Sequence, residues 1–135
     1  MTAYLVDSSV WINHLRGVSD ELTNRLSSMR STEKLVTAEP IAMELLAGVP
    51  RAGVVSVERL LDSMPSLAID SHADFRAAAR IYRDVRAVGH TIRSMVDCLV
   101  AAVALRQGDV VVIHDDADFD RIAAVTGLRV ERWPS

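Results

Sequence analysis

Asp7, Glu44, Asp97, Asp116 and Asp118 stand where a carboxylate has little ordinary reason to be. Asp7 follows directly on the β-rich run 3–6, and Glu44 interrupts the segment 41–47, whose apolar residues cover essentially the whole helical circumference and so suggest burial. Asp97 is the single charge in the eleven residues 95–105, while Asp116 and Asp118 belong to a set of four aspartates within 115–120, just after the β-branched run 110–113. A lone carboxylate in apolar surroundings costs several kcal/mol or protonates, and clustered carboxylates repel one another unless a cation sits among them. Oxygen-only acidic ligands suit the hard ions Mg²⁺ and Mn²⁺, which activate water and clamp the oxygens of a phosphodiester displacement. The chemistry these residue types point to is therefore metal-dependent nuclease chemistry.

Each acid also has a local reading, and these stay open at this point. Asp7 with Ser8 and Ser9 forms a typical helix N-cap; Ser9 could cap instead, leaving Asp7 free and placing its hydroxyl on the carboxylate or on a metal-bound water. Ser94 and Asp97 have capping-box spacing. Glu39, just before Pro40, fits helix-start charge, and Asp115 and Asp120 fit a solvated loop with an aspartate cap. What the local readings do not explain is the coincidence of two acids after strands with two lone acids in apolar helices.

Short elements must position these residues. Strands are expected at 3–6, 34–37, 66–69, 110–113 and 128–133, and helices at 10–15, 20–29, 41–47, 52–61, 71–88, 94–107 and 118–125, with Gly17, Gly48 and Gly108 as stops and Pro40 opening a helix. The run 110–113 is four consecutive β-branched residues and reads as a strand buried on both faces. Strands alternating with helices imply a mainly parallel central sheet in a three-layer α/β/α arrangement, which places its site at the carboxyl ends of the strands. Residues 1–135 show no linker, repeat or low-complexity tract and read as one domain.

Composition narrows the class further. Half the residues are apolar and about a quarter charged, which excludes a disordered chain. The one cysteine, Cys98, lies in an apolar run without a partner; it rules out disulfide or cysteine–zinc staples and suits a reducing cytosol. No apolar run reaches the roughly 18 residues of a membrane span, and the start lacks the basic residues of a signal peptide, so a cytoplasmic protein with no membrane partner is expected. The net charge is −3, and any nucleic-acid contact must come from a local basic patch or an oligomer. Arg76, Arg80, Arg83 and Arg86 fall within about a third of the helical circumference and form such a stripe, with a solvated face, partly neutralised by Asp74 and Asp84, as the competing reading. Arg93, just before the Asp97 helix, is a separate candidate.

The runs Tyr4-Leu5-Val6-Asp7-Ser8-Ser9-Val10-Trp11-Ile12, Glu44-Leu45-Leu46-Ala47-Gly48, Asp97-Cys98-Leu99-Val100-Ala101-Ala102 and Asp116-Ala117-Asp118-Phe119-Asp120-Arg121-Ile122 resemble, in order and over the whole chain, the four signature regions of PIN-domain ribonucleases, most closely the VapC toxin group. The resemblance implies a PIN-like α/β/α fold and a Mg²⁺- or Mn²⁺-dependent endoribonuclease. Asp7, Glu44, Asp97 and Asp116 would be its acidic quartet, with Asp7, Asp97 and Asp116 on the metal, Asp118 an accessory acid and Ser9 the small polar neighbour. It further implies hydrolysis by a metal-activated water that leaves a 5′-phosphate and a 3′-hydroxyl, a structured RNA substrate with tRNA foremost, a homodimer, and a small VapB-like antitoxin. One departure is His114, where the family usually has Thr or Ser two residues before the last acid; with Asp115 beside it, the register of the fourth carboxylate is open among Asp115, Asp116 and Asp118. Two rivals remain. A haloacid-dehalogenase-type phosphohydrolase would share Asp7 after the first strand but needs a second aspartate where Ser9 stands, and a non-catalytic α/β interaction module would use the acids as caps and core ion pairs.

Overall fold

The structure, a computed structural model, describes residues 1–134; Ser135, the last residue of the expected domain, lies outside the described residues. The chain runs β1 (Ala3–Val6), α1 (Ser8–Leu15), α2 (Asp20–Thr32), β2 (Lys34–Ala38), α3 (Glu39–Gly48), a 3-10 turn (Arg51–Gly53), α4 (Val54–Asp62), β3 (Ser66–Leu67), α5 (Ala73–Ala87), α6 (Met95–Gln107), β4 (Val110–His114), α7 (Ala117–Thr126) and β5 (Arg129–Arg132). The five strands form one parallel sheet in the order β3-β2-β1-β4-β5. From β1 the chain builds outward through β2 and β3, then returns to add β4 and β5 on the other side of β1. The strand order therefore reverses between β1 and β4, the switch point at which open parallel sheets bind ligands.

The two strands flanking that point are the most thoroughly covered. All five residues of β4 are buried, the apolar run 110–113 and His114 with it, and Leu5, Val6, Val112 and Ile113 are fully enclosed. Val6 is paired with Ile113, and the N–H of Asp7 donates to the Ile113 carbonyl at 2.8 Å, so both strands end at one level and launch Asp7 and Asp116 from the same edge.

Helices flank the sheet. One set of contacts joins α1, α3 and α4, another joins α5, α6 and α7, and α3 also touches α6. The helix α6 is buried over most of its circumference, at Cys98 and from Val100 to Ala104, which accounts for its lack of a polar face. The buried Asp74 at the start of α5 pairs with Arg106 at the end of α6, Nε to Oδ1 at 2.8 Å, so the two helices run in opposite directions. The C-terminal end of α5 thus lies beside the start of α6, where Asp97 is.

The expected elements are all present, and the differences are local. The third strand ends at Leu67 rather than 69 because side chains capture the chain beyond it. The Ala68 carbonyl accepts from Arg106 Nη2 at 2.6 Å, the Asp70 N–H donates to Asp74 Oδ2, and Asp70 Oδ1 takes the N–H groups of His72 and Ala73. The helix expected at 52–61 starts at Val54, because Ala52 and Gly53 belong to the separate 3-10 turn, and the first helix starts at Ser8, two residues early, because Asp7 rather than Ser9 caps it.

Candidate metal centre

Asp7 caps α1 itself, in place of Ser9, and its two oxygens differ. Its Oδ2 caps α1, accepting from the Ser9 N–H at 3.0 Å and the Ser9 hydroxyl at 2.7 Å. Its Oδ1 is buried without a hydrogen-bond partner. Burial pushes the Asp7 pKa up, against the Ser9 hydrogen bonds that pull it down. The Ser9 hydroxyl also accepts the N–H of Asp115 at 2.9 Å, and so ties the β1–α1 turn to the β4–α7 turn.

Asp97 is 5% exposed in the first turn of α6, yet it does not complete a capping box. The Ser94 hydroxyl caps Val96 N–H at 3.2 Å, and Asp97 Oδ2 is buried with no partner. Desolvation raises its pKa to about 8, with the negative charges of Asp7, Asp116 and Glu44 and a hydrogen bond to Asp116 acting in the same direction. Without a cation this pocket holds a proton instead.

Glu44 on α3 accepts from the Ser8 hydroxyl at 3.0 Å and is half-buried rather than enclosed. The expectation of a helix covered all round fails for α3: Met43 beside it is 57% exposed, so this helix keeps an apolar face to solvent. Glu39 is exposed in the first turn, as helix-start charge.

Asp116 caps α7, its Oδ1 accepting the Asp118 N–H at 2.9 Å. Asp118 is fully buried and already engaged on both oxygens, by Arg121 Nη1 on Oδ1 at 2.9 Å and by the Arg93 N–H on Oδ2 at 3.0 Å. Asp115 turns elsewhere, accepting from Asn13 Nδ2 at 3.0 Å with Arg132 Nε 3.6 Å away, and Asp120 pairs with Arg132. The solvated-loop reading therefore fails for Asp115. Of the three acids left open for the fourth position, Asp116 and Asp118 join Asp97.

Ligand atoms of Asp7, Glu44 and Asp97 lie within 4.8 Å of one another, as do those of Asp97, Asp116 and Asp118. Asp97 belongs to both groups and is the hinge of the cluster. The donor set is all oxygen, and two of its buried oxygens have no partner; both features fit a divalent ion such as Mg²⁺ or Mn²⁺.

His114 sits at the end of β4, fully buried, its ring 5.3 Å from that of Phe119. Its Nδ1 accepts the Asp116 N–H at 3.2 Å, which leaves the proton on Nε2, 3.4 Å from Asp120 Oδ1. Burial lowers its pKa, outweighing the pull of Asp120 and Asp7. As neutral imidazole it shapes the turn that presents Asp116.

The arginine candidates divide. Arg76, Arg80, Arg83 and Arg86 are all exposed on α5, with Arg86 over the Tyr82 ring at 5.9 Å; Arg83 and Arg86 lie toward the Asp97 end and Arg76 toward the Arg106 end. Arg93 alone of the five reaches the cluster, its guanidinium Nη2 3.4 Å from Asp116 Oδ1. Sequence reasoning missed Arg121, Ser8 and Asn13. The i,i+3 spacing of Asp118 and Arg121 was a usable signal; the reach of Ser8 to Glu44 and of Asn13 to Asp115 depends on tertiary contacts that carry no local pattern.

Comparisons with known proteins bear on the family and the fold. The family model described as PIN domain matches residues 4–125. Ribonuclease VapC11 of Mycobacterium tuberculosis is 42% identical over 128 residues, covering 93% of this chain and 95% of the relative. Ribonuclease VapC51 of the same organism is 35% identical, covering 92% and 88%. Among solved structures, a DNA-bound VapBC from Salmonella typhimurium superposes with a TM-score of 0.77 at 18% identity, covering 98% of this chain and 99% of that one.

Proposed function

The chain belongs to the PIN-domain family, in its VapC ribonuclease group, and from that premise we propose that it is the toxin of a toxin–antitoxin pair, an endoribonuclease dependent on Mg²⁺ or Mn²⁺. The observation that carries this reading is the buried Asp97 carboxylate, shared between two groups of acids and with one oxygen unpartnered. Asp7, Asp97 and Asp116 would hold the ion, with Glu44 completing the acidic quartet. When bound, such an ion supplies Lewis-acid activation of water and neutralises charge on the phosphodiester. The chain's own residues do the positioning. Ser9 holds Asp7 Oδ2 and the Asp115 N–H together, Ser8 holds Glu44, His114 holds the Asp116 turn, and Asp118 between Arg93 and Arg121 anchors the first turn of α7. Asp118 then acts as an accessory acid by placement.

The products are a 5′-phosphate and a 3′-hydroxyl, and the substrate is a structured RNA of the tRNA kind. The exposed α5 arginines nearest the pocket, Arg83 and Arg86, and Arg93 at its edge take RNA phosphates, with Arg76 and Arg80 extending the stripe. The protein works in the cytoplasm as a homodimer, and among the described residues no helix is long and apolar enough to cross a membrane. A VapB-like antitoxin restrains it; an open groove lined by Ile12, Leu15, Leu45, Val49 and Val57 runs up to Glu44 and suits an apolar segment that ends in a basic side chain over the acids. Structures of such pairs exist for the VapBC proteins of Salmonella typhimurium and of Haemophilus influenzae.

Expression of the chain alone in its host tests this. Growth arrest relieved by the adjacent small gene is expected, with no arrest from Asp7→Asn, which still caps α1. Arrest that persists with Asp7→Asn contradicts the nuclease reading and favours a non-catalytic interaction module.

A further inference from the structure

Arg93 closes the loop before α6, and the structure holds its two ends differently. Its backbone N–H is fixed on Asp118 Oδ2 at 3.0 Å, and Asp118 is itself fully buried and held by Arg121 on the other oxygen. Its side chain, by contrast, is 77% exposed and the guanidinium only grazes the acids, with Nη2 3.4 Å from Asp116 Oδ1 and Nε 3.7 Å from Asp118 Oδ2. A committed charge-assisted pair lies near 2.7–2.9 Å, as Arg121 shows on Asp118 at 2.9 Å. Arg93 is thus a cation with a rigid root and a loosely held head. Among the described residues it is the cation in ion-pair range of Asp116, one of the three acids grouped around Asp97.

A guanidinium and a divalent ion compete for the field of one carboxylate, and the planar guanidinium fork also matches a phosphate. We infer that Arg93 is a counter-ion that changes partner: it balances Asp116 in the metal-free protein, gives way when a divalent ion occupies the acids, and then takes an oxygen of an RNA phosphate held over the pocket. The fixed backbone confines its reach to the pocket mouth, which distinguishes it from the α5 arginines. The inference rests on the ribonuclease reading and adds to Arg93 a role on the metal side that does not depend on RNA.

The test has two arms. In the first, Mn²⁺ affinity is measured by calorimetry without RNA for the wild-type chain, Arg93→Gln and Arg93→Lys. Loss of one competing charge should tighten Mn²⁺ binding by about threefold or more in Arg93→Gln, and Arg93→Lys should stay near wild type. In the second, binding of a fluorescent RNA is followed in the cleavage-impaired Glu44→Gln chain, with and without Arg93→Gln, over a range of salt with Mn²⁺ present. The double variant should bind about tenfold more weakly, and its log–log salt slope should be smaller by about 0.7, the signature of one lost phosphate contact. Unchanged or weaker Mn²⁺ binding in Arg93→Gln overturns the inference, as does an unchanged salt slope. If Arg93→Gln folds poorly, Arg93→Lys still decides: Mn²⁺ affinity well above wild type with the charge retained also overturns it. Failure of the ribonuclease reading looks different, because there the chain carrying Arg93 itself binds no RNA at any salt.

Discussion

Metal-free protein should lose stability as pH rises from 7 to 8, and Mn²⁺ should remove that loss. Asp97 carries the effect: its pKa is about 8 in the folded chain against 3.8 as the ordinary value, so the native state holds a proton that the unfolded chain has released. A raised carboxyl pKa gives stability that is complete below the unfolded value and is lost as pH climbs through the folded one. His14 and His114 act in the opposite sense, since burial lowers both, but most of their contribution is already in place by pH 7, above the unfolded value of 6.5. Above pH 7 the acid cluster therefore sets the slope. For a single proton with these two pKa values the loss between pH 7 and 8 is about 1 kcal/mol, which corresponds to a fall in Tm of roughly 4 °C for a domain of this size. Saturating Mn²⁺ replaces the proton, so calorimetry at pH 7 in buffers of different ionisation enthalpy should find about 0.9 proton released per ion. Asp97→Asn should flatten the pH 7–8 slope and abolish the release. A flat Tm in metal-free wild type, or Mn²⁺ binding without proton release, would refute the argument that the pocket holds a proton in place of a cation.

Asp97→Asn should also lose RNA cleavage with little loss of fold, because it keeps the shape of a residue that caps nothing through its side chain; gel assays and a melting curve at pH 6 check both. Asp118→Ala should cost about 3 kcal/mol in chemical denaturation, since it leaves a cavity and strips Arg93 and Arg121 of a buried partner, whereas Asp116→Ala should cost about 1 kcal/mol, the loss of an N-cap. Ser9→Ala removes the hydroxyl between Asp7 and Asp115 and should lower stability by about 2 kcal/mol and weaken Mn²⁺ binding. Removing the charges of Arg83 and Arg86 should reduce RNA affinity more than removing those of Arg76 and Arg80, because α5 runs antiparallel to α6; equal effects in a filter-binding assay would argue that the whole stripe is a solvated face.

The fold was legible because its elements carry strong local signals: the β-branched run of β4, the caps at Asp7 and Ser94, and Pro40 at the start of α3. The acids were legible because Asp97 and Glu44 break apolar runs. What sequence could not decide was division of labour within a residue or between neighbours. Asp7 caps with one oxygen and leaves the other bare, a distinction of atoms rather than of residue type. Asp115, Asp116 and Asp118 look alike in the sequence, and are separated by Asn13, Arg132, Arg93 and Arg121 arriving from distant or later turns. Met43 was expected inside because it is apolar, yet nothing among the described residues covers that side of α3.

The most direct test of the account is RNA cleavage by the purified chain with and without Mn²⁺, with the ends of the products identified. Cleavage that requires the ion, leaves 5′-phosphate and 3′-hydroxyl ends, and disappears in Asp97→Asn is the expected result. Cleavage that survives exhaustive chelation, or that Asp97→Asn carries out at the wild-type rate, would contradict the claim that these acids work through a divalent ion.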